Sequence, residues 1–230
     1  MPTQNVSTME NINFGNITST GDRYNEWSLW HLESLTPEVF IGCFRNNIDK
    51  ILNKRGVGGT LVIDQYNQHT LHNMYYYAVG SPLCEWDINK GLFLGGKIGA
   101  GKTLLMSAFL KILEDISGYV IEMIPARQLA QKLIDNGPEY YMKRPLFIDE
   151  LGRENLEENY YGRTIRPFEE LMSYRYEYGS RLFVTSNFTP ERLGQGFDES
   201  GRRIGYGSYI LDRMKETMSF DVLPGSSRRS

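Results

Sequence analysis

The chain has 230 residues, of which 40% are hydrophobic and 23% are charged, a composition typical of a globular protein with one sizeable core. Its formal net charge of −3 excludes a general electrostatic attraction to nucleic acid, so any DNA contact would need a local patch or a ring of subunits. The few cysteines, and the lack of an apolar run of roughly 18 residues or a signal-peptide pattern, argue against disulfide-rich, membrane-spanning and secreted proteins, and we expect a cytoplasmic protein without membrane contact.

The first part of the chain is predicted to contain a disordered segment followed by two helices. Residues 1–22 are rich in Asn, Ser, Thr and Gly and contain few apolar residues, which predicts disorder. Residues 23–58 are predicted to form a helical N-terminal region that binds a partner. Within it, Thr36 is a candidate N-cap, Pro37 takes the first helical position, and apolar residues then recur at helical spacing. A second helix is predicted over residues 66–78.

Beyond residue 90, short apolar runs alternate regularly with helical segments. The runs, which are predicted strands, are GLFLGG, YVIEMI, PLFIDE, RLFVTS and SFDVL. The helical segments between them are 103–116, 126–136, 167–178 and 208–217. Strands that are apolar on both faces, with helices between them, predict a parallel sheet covered on both sides. We therefore expect a three-layer α/β/α domain with a five-stranded parallel sheet over residues 60–230, in which residues 151–166 form a loop.

The stretch GGKIGAGKT lies between the first predicted strand and the helix that follows it. It contains the full pattern G-x-x-x-x-G-K-T, whose glycines let backbone N–H groups surround a phosphate at a helix N-terminus. Lys102 is expected to reach the β- and γ-phosphates, and the Thr103 hydroxyl to bind Mg²⁺. The sequence therefore predicts ATP and Mg²⁺ as cofactors. The predicted nucleotide-binding residues are Gly96, Lys97, Ile98, Gly99, Ala100, Gly101, Lys102, Thr103 and Leu104.

Polar side chains follow the third and fourth predicted strands, at the edge of the sheet where ligands bind in open α/β folds. Asp149 is placed to hold Mg²⁺, and Glu150 to polarise the water that attacks the γ-phosphate. Asn187 follows the fourth strand, and its neutral amide could orient the same water without adding negative charge. Lys102, Glu150 and Asn187 thus predict a Mg²⁺-dependent ATPase.

Several arginines have roles that the sequence pattern leaves open. Arg213 falls at the border of the apolar stripe of the helix predicted over 208–217, so it could reach a neighbouring subunit or lie in solvent. Arg202 and Arg203 precede that helix and could compete for the same role or touch DNA. Arg175 shares a helical face with apolar residues, so its charge needs a partner, either a structural carboxylate or an interface.

Together, these residues resemble the AAA+ ATPases, and within them the DnaC-type helicase loaders and the related IstB-type transposition helpers. The similarity covers roughly residues 60–230 and rests on GGKIGAGKT, LFIDELG, SYRYEYGSRLFVTSN, and ILDRMKE followed by GSSRR. It implies a P-loop NTPase domain without the C-terminal helical lid of most AAA+ proteins. It also implies that Asn187 is sensor 1, that Arg213 is the arginine finger completing a neighbour's ATP site, and that Arg229 is the sensor-2 arginine.

The resemblance implies an ATP-dependent accessory protein of DNA replication. Such a protein would form a homo-oligomer on binding ATP and act on a replicative DNA helicase and single-stranded DNA. One alternative is a transposition helper that acts with a transposase on duplex DNA, and no feature of the sequence separates it from a loader. A second alternative is a nucleotide-gated interaction module with negligible hydrolysis, against which Glu150 argues.

Overall fold

The structure, a computed structural model, describes residues 35–225 and residue 227. The predicted disorder of residues 1–22, the first part of the region 23–58 and the predicted role of Arg229 lie outside the described residues. In the part of the chain that is described, helices and strands follow the predicted order closely.

The two N-terminal helices form where their sequence signals place them. Helix α1 spans Pro37–Lys54, and the backbone N–H of Val39 donates a hydrogen bond to the Thr36 hydroxyl, so Thr36 is the N-cap. Helix α2 spans Gln68–Ala78. The buried face of α1 packs against α3, which spans Lys102–Ser117. The predicted N-terminal region therefore shares a hydrophobic core with the P-loop domain.

A five-stranded sheet forms the centre of the molecule. Its strands are β1 (Gly91–Gly96), β2 (Glu122–Pro125), β3 (Leu146–Leu151), β6 (Leu182–Ser186) and β7 (Met218–Leu223). The order across the sheet is β2-β3-β6-β1-β7, and every neighbouring pair is parallel. The prediction of a five-stranded parallel sheet is confirmed, with β1 between β6 and β7.

Helices cover both faces of this sheet, which gives the predicted α/β/α layers. Leu92 and Leu94 of β1 join a core with α1, α2 and α3, whereas Phe93 points to a second core on the opposite face. The helices of the second core are α4 (Leu129–Asn136), α5 (Pro167–Tyr178) and α7 (Ser208–Thr217), and the short α6 (Pro190–Leu193) lies beside them. None of the helices in residues 35–225 is both long and apolar enough to cross a bilayer.

The segment 151–166 contains a short antiparallel hairpin, so the prediction of a loop there was wrong. Strand β4 (Glu158–Tyr160) pairs with strand β5 (Arg163–Ile165). The turn between them consists of Tyr161 and Gly162, whose φ angles are both positive, at 47° and 80°, as in the two-residue turns that suit the twist of a hairpin. Each strand has only three residues, which is too short for an alternating pattern to show in the sequence.

Arg175 of α5 is buried, with a relative exposure of 2%. The sequence predicted a carboxylate or an interface as its partner, and the structure shows neither in the described part of the chain. Its guanidinium group donates hydrogen bonds to the backbone carbonyl oxygens of Tyr141, Arg144 and Arg181. The first two of these residues precede β3 and the third precedes β6, so one side chain joins the beginnings of two strands. Burial lowers the pKa of Arg175 to about 9, which leaves the group protonated at neutral pH.

Candidate nucleotide site

The glycine-rich stretch forms a tight loop that joins the end of β1 to α3. Gly99 and Gly101 adopt positive φ angles of 83° and 99°. A Cβ atom at Gly99 would lie 2.3 Å from the hydroxyl oxygen of Ser227, so any side chain there would collide with the segment after β7. Gly101 is the N-cap of α3 and offers no side chain to the N–H groups of the first turn. Those groups can therefore serve an anion.

Lys102 joins this loop to the fourth predicted strand, which is β6. Its buried ammonium group donates to the carbonyl oxygens of Gly96 and Lys97, at 2.8 and 2.9 Å, and to Oδ1 of Asn187, at 2.8 Å. The structure thus brings together two predicted site residues that are 85 positions apart in the chain.

Asp149 lies against the first turn of α3. Its Oδ1 atom accepts hydrogen bonds from the hydroxyl groups of Thr103, at 2.7 Å, and Thr185, at 2.5 Å. Thr185 is fully buried near the end of β6. Its role was missed from the sequence, where the only signal is a hydroxyl residue at the end of an apolar strand. The two threonines hold the carboxylate between the P-loop helix and the neighbouring strand.

Glu150 has an unusual backbone conformation for a residue with a side chain. Its φ angle is 58°, and the pairing of β3 with β6 shifts register between Ile148 and Leu151. The backbone N–H of Glu150 donates to the Thr185 hydroxyl at 3.0 Å, which helps to hold the irregular conformation. Strained backbone of this kind is often found where a side chain must be aimed at a reacting group.

Asn187 presents a donor that none of the described residues uses. Its Oδ1 accepts from Lys102, but its buried Nδ2 has no hydrogen-bond partner among the described residues. A buried donor without a partner costs about 1–3 kcal/mol. A ligand oxygen at this position would remove that cost, which fits the role predicted for the amide.

The oxygens at this edge also suit Mg²⁺. The ion prefers oxygen ligands, and in nucleotide sites it takes few of them from the protein and the rest from water and phosphate. Thr103 and Asp149 offer two such oxygens. Over residues 35–225 and 227, no group of three or more His, Cys, Asp or Glu side chains could hold a metal ion alone.

Comparison with known proteins identifies the fold. No protein-family model matches the sequence, and no curated protein matches it. The structure is similar to that of a candidate primosome component from Streptococcus pyogenes, with a TM-score of 0.55 and 18% identity over 74% of this chain and 85% of that chain. It is also similar to DnaI (TM-score 0.53, 22% identity, 74% of this chain, 87% of that chain) and to the DnaC helicase loader (0.51, 20%, 71% and 93%). The chain has the fold of the DnaC-type AAA+ proteins.

Within this AAA+ fold, Arg213 is not part of the network around Lys102. Its guanidinium group lies on the surface formed by α5 and α7, where Nη1 donates to the Ser173 hydroxyl at 2.8 Å. The ring centroids of Tyr209 and Tyr176 lie 4.2 and 4.9 Å from its guanidinium carbon. The contacts of Arg213 are thus with α5 and α7, and its predicted role in a neighbour's site stays a prediction.

The two arginines before α7 differ from one another. Arg203 forms ion pairs with Glu157, at 3.2 Å, and with Glu169, so its charge is compensated within the subunit. Arg202 is exposed and lines a hollow of about 520 Å³ beside the ends of β3 and β6. Of these two residues, Arg202 is the one still available to compete with Arg213 or to contact DNA.

A second residue that sequence reasoning missed is Glu154. Its carboxylate accepts hydrogen bonds from the backbone N–H of Gly152, at 2.8 Å, and from the hydroxyl group of Tyr206. Gly152 lies two residues after Glu150, and Tyr206 lies two residues before α7. Burial raises the pKa of Glu154 to about 7. Nothing in the sequence marks this glutamate apart from its neighbours in an acidic loop.

Proposed function

We propose that the protein is an ATP-dependent accessory factor of DNA replication that binds and hydrolyses ATP, self-associates, and acts on a replicative helicase and single-stranded DNA. The observation that supports this most strongly is the hydrogen-bonded network at the carboxyl edge of the sheet, which joins Lys102 to Asn187 and Thr103 to Asp149. Fold alone does not fix function. Among the uses of a P-loop, we favour replication because the structure is similar to that of DnaC, which is a helicase loader.

Each residue of the network has a distinct role in the proposed reaction. The P-loop amides and Lys102 hold the phosphates, and Thr103 and Asp149 hold Mg²⁺. Glu150 accepts a proton from the attacking water, and Asn187 orients that water or the γ-phosphate through its unpaired amide donor. Thr185 fixes both Asp149 and the backbone of Glu150, so it aligns the metal ligand with the base.

Other parts of the chain are proposed to act between molecules. Arg213 completes the ATP site of a neighbouring subunit, while Arg229 contacts the nucleotide of its own subunit. Residues 23–58 bind the helicase, and single-stranded DNA is held mainly through its phosphates, which makes the affinity depend steeply on salt. Loss of the γ-phosphate would then loosen the assembly, which is a switch between ordered and disordered subunit contacts.

The first test measures ATP turnover in the wild-type protein and in two variants. Lys102→Ala should lose ATP binding, whereas Glu150→Gln should bind ATP normally and lose at least about 100-fold in kcat, the effect typical of a general base. Glu191→Gln, which changes an exposed glutamate of α6, is the matched control and should behave as wild type. Equal turnover in Glu150→Gln and wild type would favour the nucleotide-gated module over an ATPase.

The second test concerns the partner. The purified protein is mixed with the replicative helicase of its own host and passed over a sizing column with ATP, with ADP and without nucleotide. We expect co-elution with ATP. A protein that hydrolyses ATP but co-elutes with the helicase in none of the three conditions would favour the transposition helper.

A further inference from the structure

The guanidinium group of Arg213 has partners of a different kind from those of Arg175 and Arg203. Arg175 is held by three carbonyl oxygens, and Arg203 by two carboxylates. Arg213 forms no ion pair with any residue that the structure describes, and one of its N–H groups bonds to Ser173. The remaining contacts of its guanidinium group are with the rings of Tyr176 and Tyr209.

Contacts with aromatic rings hold a guanidinium group without using its hydrogen-bond donors. A guanidinium group has five N–H donors in a planar fork, and a ring attracts it through the quadrupole of the π-system. Arg213 is therefore held in place while most of its donors stay available to an acceptor from outside. Phosphate oxygens are the acceptors that this fork matches best.

One of the two rings is itself held by the fold. The hydroxyl group of Tyr176, on α5, donates to the carboxylate of Glu216, on α7, so it links the two helices that carry the rings. Tyr209 and Tyr176 remain 62% and 39% exposed. Large aromatic side chains that stay exposed beside an arginine have the composition of the centre of a protein–protein interface.

A hollow of about 510 Å³ adjoins these residues. Its lining includes Ser173 and Tyr209, and also Arg163 and Arg166 of the β5 region. The last two arginines are paired with Glu170, at 3.8 Å, and Glu157, at 2.9 Å. The positive charge on this face that is left without an acidic partner in the described chain is thus that of Arg213.

We propose that Tyr176 and Tyr209 are positioning residues for Arg213, and that the face they form with Ser173 and the hollow is the contact surface for a second copy of this chain. The acceptor that the second copy provides is the triphosphate on its own P-loop, whose negative charge complements the unpaired arginine. This inference rests on the proposed function, because it assumes that the P-loop holds a nucleotide.

The test compares alanine and phenylalanine variants at the two tyrosines. Tyr209→Ala and Tyr176→Ala should each lower kcat for ATP by roughly 2- to 5-fold, the effect expected from one lost cation–π contact, with the ATP dissociation constant unchanged. Tyr209→Phe keeps the ring face and should retain turnover, whereas Tyr176→Phe keeps the ring but loses the bond to Glu216 and should fall between Tyr176→Ala and wild type. The matched control is Tyr178→Ala, since Tyr178 lies on the same helix with 41% exposure and its ring faces Lys143 instead.

A mixing experiment separates a role between subunits from a merely structural one. Glu150→Gln subunits are expected to hydrolyse ATP at least about 100-fold more slowly than wild type, but they have an intact Arg213 with both tyrosines. Adding them to the Tyr176→Ala, Tyr209→Ala double variant should raise turnover per mole of the double variant, because each intact face completes a neighbour's site. Arg213→Ala should be rescued in the same way.

Absence of rescue, or equal losses in Tyr178→Ala and Tyr209→Ala, would overturn the inference even if the wild-type protein hydrolyses ATP. A wild-type protein that binds no nucleotide would overturn the proposed function and the inference together, and the dissociation constants distinguish the two results.

Discussion

Replacing Arg175 by methionine should destabilise the protein strongly without touching the nucleotide site. Methionine is shorter than arginine and has no donors, so the carbonyl oxygens of Tyr141, Arg144 and Arg181 would lose their charged donor; the bond to Tyr141 is buried and the other two are partly buried. Each such loss costs about 1–3 kcal/mol. The three losses share one side chain and do not add fully, and the methionine regains part of the cost through apolar burial. We expect the free energy of unfolding to fall by about 3–5 kcal/mol.

The assay is urea unfolding followed by circular dichroism, with linear extrapolation to water. Arg175→Lys retains a charge and three donors without the planar fork, so it should lie between wild type and the methionine variant. Arg127→Met, which changes an exposed arginine, is the control and should stay within about 0.5 kcal/mol of wild type. Since Arg175 joins the beginnings of β3 and β6, opposite the edge that carries Asp149 and Asn187, the folded methionine variant should still bind ATP. A loss below about 1 kcal/mol would refute the account of the buried guanidinium.

Three further predictions concern the site and its surroundings. Thr185→Val removes the hydroxyl group that Asp149 and the backbone of Glu150 share, so kcat should fall about 10-fold or more while Thr185→Ser stays near wild type in a steady-state ATPase assay. Because the pKa of Glu154 is raised from 4.5 to about 7, the unfolded chain releases this proton at lower pH than the folded protein does. Its contribution to the free energy of unfolding is therefore lost as the pH rises from about 5 to about 8. In denaturant titrations over this range, the free energy of unfolding of Glu154→Gln should fall by less than that of the wild type, with a difference on the order of 2 kcal/mol. Gly99→Ala combines a positive φ angle with a clash against the segment after β7, so calorimetry should show weakened ATP binding, and unchanged affinity would contradict the geometry of the loop.

Local sequence patterns were sufficient to predict most of the secondary structure. Strand β1 coincides with the predicted run at 91–96, and helices α5 and α7 begin and end at the predicted residues. The second strand was predicted over 119–124 but spans Glu122–Pro125, because Gly118 ends α3 in a left-handed conformation and the next residues are used to return to the sheet.

The features that the sequence did not reveal depend on contacts between distant residues. The partners of Arg175 are backbone carbonyl oxygens, which every residue has and which therefore leave no signature in the sequence. Thr185 acquires its role from the register between β3 and β6, including the irregularity after Ile148. Glu154 differs from other loop glutamates only because Tyr206 lies against it. In each case the side chain could be read from the sequence and its partner could not.

The path of the chain gives a physical basis for linking ATP binding to self-association. Arg213 lies on α7, which passes into β7 after Thr217 without an intervening loop. Strand β7 pairs with β1 along its whole length, from Gly91 opposite Met218 to Gly96 opposite Leu223. A Cβ atom at Gly96 would lie only 2.6 Å from the carbonyl oxygen of Leu223, so the P-loop begins in direct contact with the end of β7. A hydrogen-bonded strand pair thus connects the loop proposed to hold one nucleotide with the helix proposed to act on the next, and this pair is the shortest covalent and hydrogen-bonded route between them.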